Sequence, residues 1–395
     1  MAASMEMAGA RGERAEGEHV DSAWSAWTRT IDQWTLRACL ALFAIGVVLS
    51  FATSPALALR HPELDAFHFA WRHLQAGGPA FAALIACSFL GPRDVRRVGL
   101  VLALLCFVAL ALLPAYGAGH GKGAVRWFSV MGLSVQPSEF LKPGLIVVCA
   151  WMLSGLQSGD RRAALSGAGA AVGVLALALA PLALQPDFGQ AALITAVWCV
   201  MFFVAGGSPA VLFGVGGVAA ALAGLAYAAA PHFARRIDAF LDPAAEGGRQ
   251  AQIAGDAIAS GGWLGRGLAE GQEKATLPDA HSDFILAVAA EEYGFLLVAV
   301  ILILLTAIPL RALYRLAQVD DPFTRIAGAG LALLIGLQAA VNAGVTAQLL
   351  PTTGMTLPFI SYGGSSMLAM GISVGLLLAL TRRRPRDIAR LYGRR

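Results

Sequence analysis

The sequence predicts an all-α, polytopic membrane protein with about ten spans and one large outer loop between the seventh and eighth. Three observations carry that prediction: composition, the recurrence of long apolar runs, and the position of arginine between them. Hydrophobic residues make up 57% of the 395-residue chain and charged residues 14%, against roughly 45–50% and about 25% in a soluble chain. The mean hydropathy of +0.66 agrees. A spanning helix needs about 20 apolar residues, and in lipid only helices and closed barrels satisfy their own backbone hydrogen bonds. Uniformly apolar runs exclude the alternation of a barrel.

Along the chain, residues 1–20 are small, charged and without periodicity, a disordered cytoplasmic tail rather than a signal peptide. Residues 21–35 carry Trp24, Trp27, Ile31 and Trp34 at helical spacing, an amphipathic segment suited to the membrane interface or to packing. Spans follow at roughly 36–55, 78–92, 98–116, 138–157, 163–184, 188–206, 209–230, 284–309, 325–349 and 362–380. The arginines of three connectors (Arg93, Arg96 and Arg97; Arg161 and Arg162; Arg311, Arg315 and Arg325) share a side with the basic tail 382–395 when the number of spans is even. The positive-inside rule then puts both termini in the cytoplasm.

On that topology the outer loops are 56–77, 117–137, 185–187, 231–283 and 350–361. The 231–283 loop, about 50 residues, is too polar to span and too long for an idle connector. Gly261, Gly262, Gly265, Gly267 and Gly271 suit tight turns and close backbone approach, while Ile253, Ala254, Ala257 and Ile258 suggest one re-entrant or interfacial helix. The five cysteines lie inside apolar runs without metal-ligand spacing and read as small buried hydrophobes.

Carboxylates are scarce near a membrane because burying one is expensive. Asp283 stands where the large outer loop meets the eighth span, with Asp279 four residues earlier. Position alone leaves two readings open: a helix N-cap, for which Ser282 competes, and a carboxylate facing a surface cavity. Glu291 and Glu292, two turns deeper, read as packing or ion-pairing groups. In QPSEFLK, Glu139 and Lys142 are three apart on one helix face and can pair, fastening the fourth span; the functional alternative has Lys142, with Arg126, facing an anionic headgroup. Trp127 reads as an interface anchor. Asp187 occupies the short outer turn QPDFGQ. The string QLLPTTGMTLPFISYGGSS, with Ser361 and Ser365, forms an irregular outer loop suited to lining a polar cavity.

The strings RWFSVMGLSVQPSEFLK, QPDFGQ, SGGWLGRGLAEG, LPDAHSDFILAVAAEEYGF and LLPTTGMTLPFISYGGSS together resemble, in order and spacing, the SEDS family of FtsW, RodA and SpoVE. The resemblance covers roughly 36–381, and LPDAHSDF and TLPFISYGGSS look more like the FtsW branch. Ser282 stands where Thr is common, Tyr293 where Leu or Phe is usual, and Ala124-Val125 precede Arg126 where a second basic residue is common. The resemblance implies a peptidoglycan glycosyltransferase of the bacterial inner membrane that polymerises lipid II, the undecaprenyl-pyrophosphate disaccharide-pentapeptide, for septal wall synthesis. It implies Asp283 as the catalytic carboxylate and a substrate-binding set drawn from Arg126, Glu139, Lys142, Asp187, Arg249, Arg266, Lys274, Ser361 and Ser365. The partners it implies are lipid II, a class B penicillin-binding transpeptidase of the FtsI type and other divisome proteins, with no nucleic acid. No tightly bound cofactor is expected, a divalent cation (Mg2+ or Mn2+) being the one candidate. A lipid II flippase, an elongation-type polymerase like RodA and a divisome scaffold are the alternatives.

Overall fold

A computed structural model describes residues 23–58, 65–119, 125–130, 133–242, 249–267, 270–277 and 280–383. They fall into two units, one built from residues up to Gln33 and from Arg382 onward, the other Trp34–Thr381. In the first, helix α1 (Ala23–Thr30) stacks Trp24 on Trp27 with ring centroids 4.7 Å apart, and Thr30 Oγ1 accepts from Arg382 Nε at 2.6 Å. The expected continuous segment 21–35 is interrupted after Thr30. Trp34 belongs to the next helix, which begins at Gln33.

The large unit is helical: α2 (Gln33–Ala58), α3 (His68–Ser88), α4 (Pro92–Tyr116), α5 (Pro137–Leu153), α6 (Arg161–Leu184), α7 (Phe188–Val204), α8 (Pro209–Ala229), α9 (Pro231–Leu241), α10 (Arg249–Gly261), α11 (Glu273–Thr276), α12 (Ile285–Leu316), α13 (Pro322–Thr346) and α14 (Gly364–Thr381). Among the described residues eight of these, α2, α4, α5, α6, α8, α12, α13 and α14, are long and apolar enough to cross a membrane. The remaining two expected spans are helical too, but α7 has 17 residues and α3 opens on the polar HFAWRHLQ.

Helix α3 starts at His68, ahead of the 78 that the apolar run suggests, so much of the expected 56–77 loop is helix. Arg72 and Gln75 in its polar first turns line a cleft, and its later turns lie against protein. A Cβ on Gly371 of α14 would come 2.3 Å from Ala80 O, and one on Gly375 would come 2.5 Å from Leu84 O. The two backbones therefore approach as closely as small residues permit. α5, α13 and α14 form the buried centre, whereas α8 buries none of its residues.

Helix α12 is broken. Within α12, Gly294 adopts φ 77°, ψ −178°, and the turn 262–267 takes up the main-chain groups released there. Arg266 N donates to Glu291 O at 2.9 Å, Gly267 N to Glu292 O at 3.2 Å, and Phe295 N to Gly262 O at 2.9 Å. Gly265, at φ 82°, sits so close that a Cβ would lie 2.1 Å from Glu292 O. That contact explains the glycine-rich string GGWLGRG. The 231–283 segment holds α9, α10 and the one-turn α11 rather than a single helix. α10 lays Ala254, Ala257 and Gly261 on α12, where Ala254 and Ala257 join Phe284, Ala287, Val288 and Val345 in one apolar cluster. Three short strands add a small antiparallel sheet to the all-α architecture: β1 (Ala118–Gly119), β2 (Val125–Val130) and β3 (Leu133–Val135), with Phe128 opposite Val135.

Candidate functional site

Asp283 lies in the turn just before α12. The cap position of that helix falls one residue later, on Phe284, whose side chain makes no capping bond. Three hydrogen bonds pin the turn to the irregular 351–363 segment and to α13: Tyr362 N to His281 O at 2.9 Å, Ser361 Oγ to Ser282 O at 2.5 Å, and Asn342 Nδ2 to Asp283 O at 2.9 Å. His281 also packs against the rings of Phe69 (centroids 4.5 Å apart) and Tyr362 (5.5 Å), which touch each other at 5.7 Å. Gly354, at φ 75°, runs past the carboxylate, and a Cβ there would be 3.7 Å from Asp283 Oδ2. Ser361 also accepts from Leu357 N at 2.7 Å and is 3% exposed. It stitches main chain to main chain and does not line the cleft beyond.

That cleft, about 1060 Å³, opens beside Asp283. Its wall carries five arginines from four elements: Arg72 of α3, Arg126 of β2, Arg235 and Arg236 of α9, and Arg249 of α10, with Trp127 and Ser365 alongside. Arg126 is held by its own hydrogen bonds, Nε to Gln185 O at 2.9 Å and Nη2 to Pro186 O at 2.5 Å, with Nη1 4.0 Å from Asp187 Oδ1. These bonds fix the guanidinium plane at the cleft edge. The Arg236 side chain is open to the cleft, yet protein crowding its head lowers its pKa. The like charge of Arg126 adds to that shift, and Asp187 and Asp283 oppose it. Arg236 thus feels the carboxylates on both sides of the cleft. Asp187 is buried behind Arg126, with Gln136 Nε2 on Oδ2 at 3.2 Å. Burial raises its pKa above the usual carboxylate range, against the pull of Arg126.

Of the other expected site residues, only Glu139 reaches this lining. Lys142 Nζ pairs with Glu139 Oε2 at 2.8 Å and donates to Gln338 Oε1 at 2.9 Å, all three groups buried. Glu139 reaches the cleft edge, but Gln190 Nε2 occupies its Oε1 at 2.6 Å. Lys274 forms an ion pair with Glu292 and donates to Ala52 O at 3.3 Å. Glu291 receives the main-chain N–H of Glu273 at 2.9 Å and of Lys274 at 3.1 Å. Arg266 donates through Nε to Ser260 O at 3.4 Å. Lys274 therefore fastens the 270–277 segment to α2 and α12, the Arg266 side chain reaches back to α10, and Glu291 and Glu292 are the packing and ion-pairing groups their depth suggested. Asp279 lies outside the described residues.

Sequence reasoning missed Arg72, Arg235, Arg236, Gln338 and Asn342. Arg72 fell in a segment assigned to loop, and the paired arginines of RRIDAFLDP carry no spacing signal. Gln338 and Asn342 had one: two carboxamides four apart inside an apolar run. No group of three or more His, Cys, Asp or Glu comes together among the described residues, so the cleft offers guanidinium groups to an anion rather than a carboxylate cage to a metal.

Comparison with known proteins gives consistent matches. The model of the FtsW, RodA and SpoVE family, described as "Cell cycle protein", matches residues 33–385. A probable peptidoglycan glycosyltransferase FtsW of Caulobacter vibrioides is 42% identical over 364 residues, 92% of each chain. Stage V sporulation protein E of Bacillus subtilis is 33% identical, covering 87% of this chain and 94% of its own. Among solved structures, one described as structural coordination of polymerization and crosslinking by a peptidoglycan synthase complex superposes with a TM-score of 0.72 at 27% identity, covering 89% of this chain and 97% of that one. The Thermus thermophilus rod shape determining protein RodA gives a TM-score of 0.65 at 26% identity, covering 89% and 96%.

Proposed function

Because this chain belongs to the FtsW, RodA and SpoVE family, we propose that it is a peptidoglycan glycosyltransferase that polymerises lipid II for septal wall synthesis, with Asp283 as general base. One observation carries the reading: a carboxylate on the wall of a large cleft whose other charged lining is mostly arginine. In glycosyl transfer from a lipid diphosphate, the leaving group needs its charge neutralised rather than a proton delivered. One base and several cations therefore suffice, where a glycosidase needs two carboxyl groups.

In the proposed step, Asp283 takes the proton of the acceptor GlcNAc 4-hydroxyl. The oxygen attacks C1 of the donor MurNAc with inversion. The C1–O bond breaks, and its electron pair leaves on undecaprenyl diphosphate, whose charge Arg126, Arg236 and Arg249 neutralise. The proton on Asp283 passes to water before the next turnover. An Mg2+ or Mn2+ ion arriving with the diphosphate would share in neutralising its charge. The partner is a class B penicillin-binding transpeptidase of the division machinery, in the inner membrane at the septum. Exclusive co-purification with an elongation transpeptidase would move the chain to the RodA branch. Both termini are cytoplasmic in this reading, and an alkaline phosphatase fusion at the C-terminus that proved active would overturn the topology.

The function is tested by supplying the purified protein in vesicles, with a transpeptidase partner lacking its own glycosyltransferase, with lipid II. Glycan polymer is the expected product. Translocation of lipid II without polymer would establish the transporter instead.

A further inference from the structure

We infer that Gln338 and Asn342 are positioning residues that hold Asp283 and the adjoining 354–356 backbone in working register, and that the buried Glu139–Lys142 pair acts by fixing Gln338. This deepens the reading of Asp283 as general base and rests on it. The two residues stand four apart on α13, so they project from one face, one turn from each other. They are 1% and 2% exposed within a helix apolar enough to cross a membrane. Carboxamides there are expensive unless their hydrogen bonds are made.

Their donors go to the cleft wall. Asn342 Nδ2 donates to two main-chain carbonyls, Asp283 at 2.9 Å and Met355 at 2.7 Å, and so joins the turn that carries the base to the segment running beside it. It keeps this orientation although its buried Oδ1 finds no hydrogen-bond partner. Gln338 Nε2 donates to Thr356 O at 3.0 Å, and Thr356 Oγ1 lies 2.5 Å from Ser366 Oγ at the start of α14. Thr356 and Ser366 both line the cleft.

A flipped carboxamide would turn its oxygen toward these carbonyls and repel them. Lys142 settles the matter for Gln338. An ammonium can only donate, so its 2.9 Å contact selects Oε1 and turns Nε2 to Thr356. Glu139, bonded to Lys142, is itself held by Gln190 of α7. The bonds therefore run from α7, which follows directly on Asp187, through α5 and α13 to the wall carrying Asp283. Asp187 stands behind Arg126, so one buried relay keeps the guanidinium side and the carboxylate side of the cleft in register.

The test compares wild type, Asp283→Asn, Asn342→Ala and Asn342→Asp as full-length protein with its transpeptidase partner. It measures lipid II affinity, KM and kcat for polymerisation, the pH profile, and hydrogen exchange at 281–284 and 354–357. Asn342→Ala is expected to lower kcat about ten- to hundredfold, as a misplaced catalytic group does, with affinity and KM unchanged within about threefold, and to raise exchange in both segments. Asn342→Asp keeps the shape but turns acceptors toward two carbonyls until protonated. Those carbonyls favour its neutral form, so its deficit should shrink as pH falls, while the wild-type rate declines as its base is protonated. An unchanged kcat for Asn342→Ala, an equal loss of affinity and kcat, or a pH profile of Asn342→Asp parallel to wild type overturns the proposal. So does failure of both variants to fold, which would make Asn342 a residue of the fold alone. The parent reading fails separately: wild type without polymer removes the glycosyltransferase, and an active Asp283→Asn removes the base.

Discussion

Two stretches, residues 262–267 with 270–276 and residues 351–363, both fold against the first turns of α12, yet they handle charge differently. The first segment brings Arg266, Glu273 and Lys274 to Glu291 and Glu292 and closes them in main-chain hydrogen bonds and a buried ion pair. The second contains no charged residue, but it borders the cleft that Asp283 and five arginines line. The difference teaches that scarcity of charge does not identify a site. A sealed pair is neutral toward its surroundings and holds shape, whereas a charge that opens onto a cleft stands where a charged substrate can reach it. The same division separates the sealed Lys142 from Arg126, which was weighed with it as a headgroup contact.

The comparison is broken most severely at the open carboxylate. Asp283→Asn should reduce polymerisation by about 10²–10⁴, the usual loss with a general base, while lipid II binding persists in a direct titration. Next comes a sealed pair. Glu139→Lys leaves two buried cations without a partner, an expected loss of about 3–5 kcal/mol visible as loss of folded protein in detergent. Neutralising both Glu139 and Lys142 should be milder, and equal yields of the reversal and wild type would show that the pair does not matter. Lys274→Met, which takes the ion-paired ammonium from the buried Glu292, should lower Tm with lipid II affinity unchanged, and adding Glu292→Gln should recover part of the loss. A drop in affinity without a drop in Tm would make Lys274 an open charge after all.

Smaller effects belong to groups at the cleft edge. Arg236→Ala should raise KM for lipid II about tenfold, one charge-assisted contact, at unchanged Tm; a fall in Tm alone would reclassify it as structural. Asp187→Asn should matter least. Burial raises the Asp187 pKa, so the folded protein binds its proton more readily than the unfolded chain does. Asp187 therefore weakens stability above its folded pKa, and the penalty fades as pH falls toward the unfolded value. Asparagine should flatten that acid-side rise in Tm and leave the rate nearly unchanged. A large rate loss would show Asp187 acting in the cleft.

What was legible in the sequence follows what is local in the chain. The apolar runs marked the helices, and the three-residue spacing of Glu139 and Lys142 gave their pair, because both partners lie on one helix. The partners that decide a role come from elsewhere: Gln338 for Lys142, Glu292 for Lys274, the carbonyls of Gln185 and Pro186 for Arg126. Arg72 was read as loop because the first turns of α3 are polar, and they are polar because they line the cleft. Gly294 looked like any glycine in an apolar run until the turn 262–267 was seen against it. The strands at 125–135 are too short to carry a periodic signal.

The central claim, that lipid II meets the open charges and not the sealed ones, is tested most directly by a structure of Asp283→Asn in complex with lipid II. The account predicts the diphosphate in hydrogen-bond contact with at least two of Arg126, Arg236 and Arg249, with the sugar beside residue 283. A diphosphate bound at Lys274 or Lys142, or a sugar remote from residue 283, would contradict it.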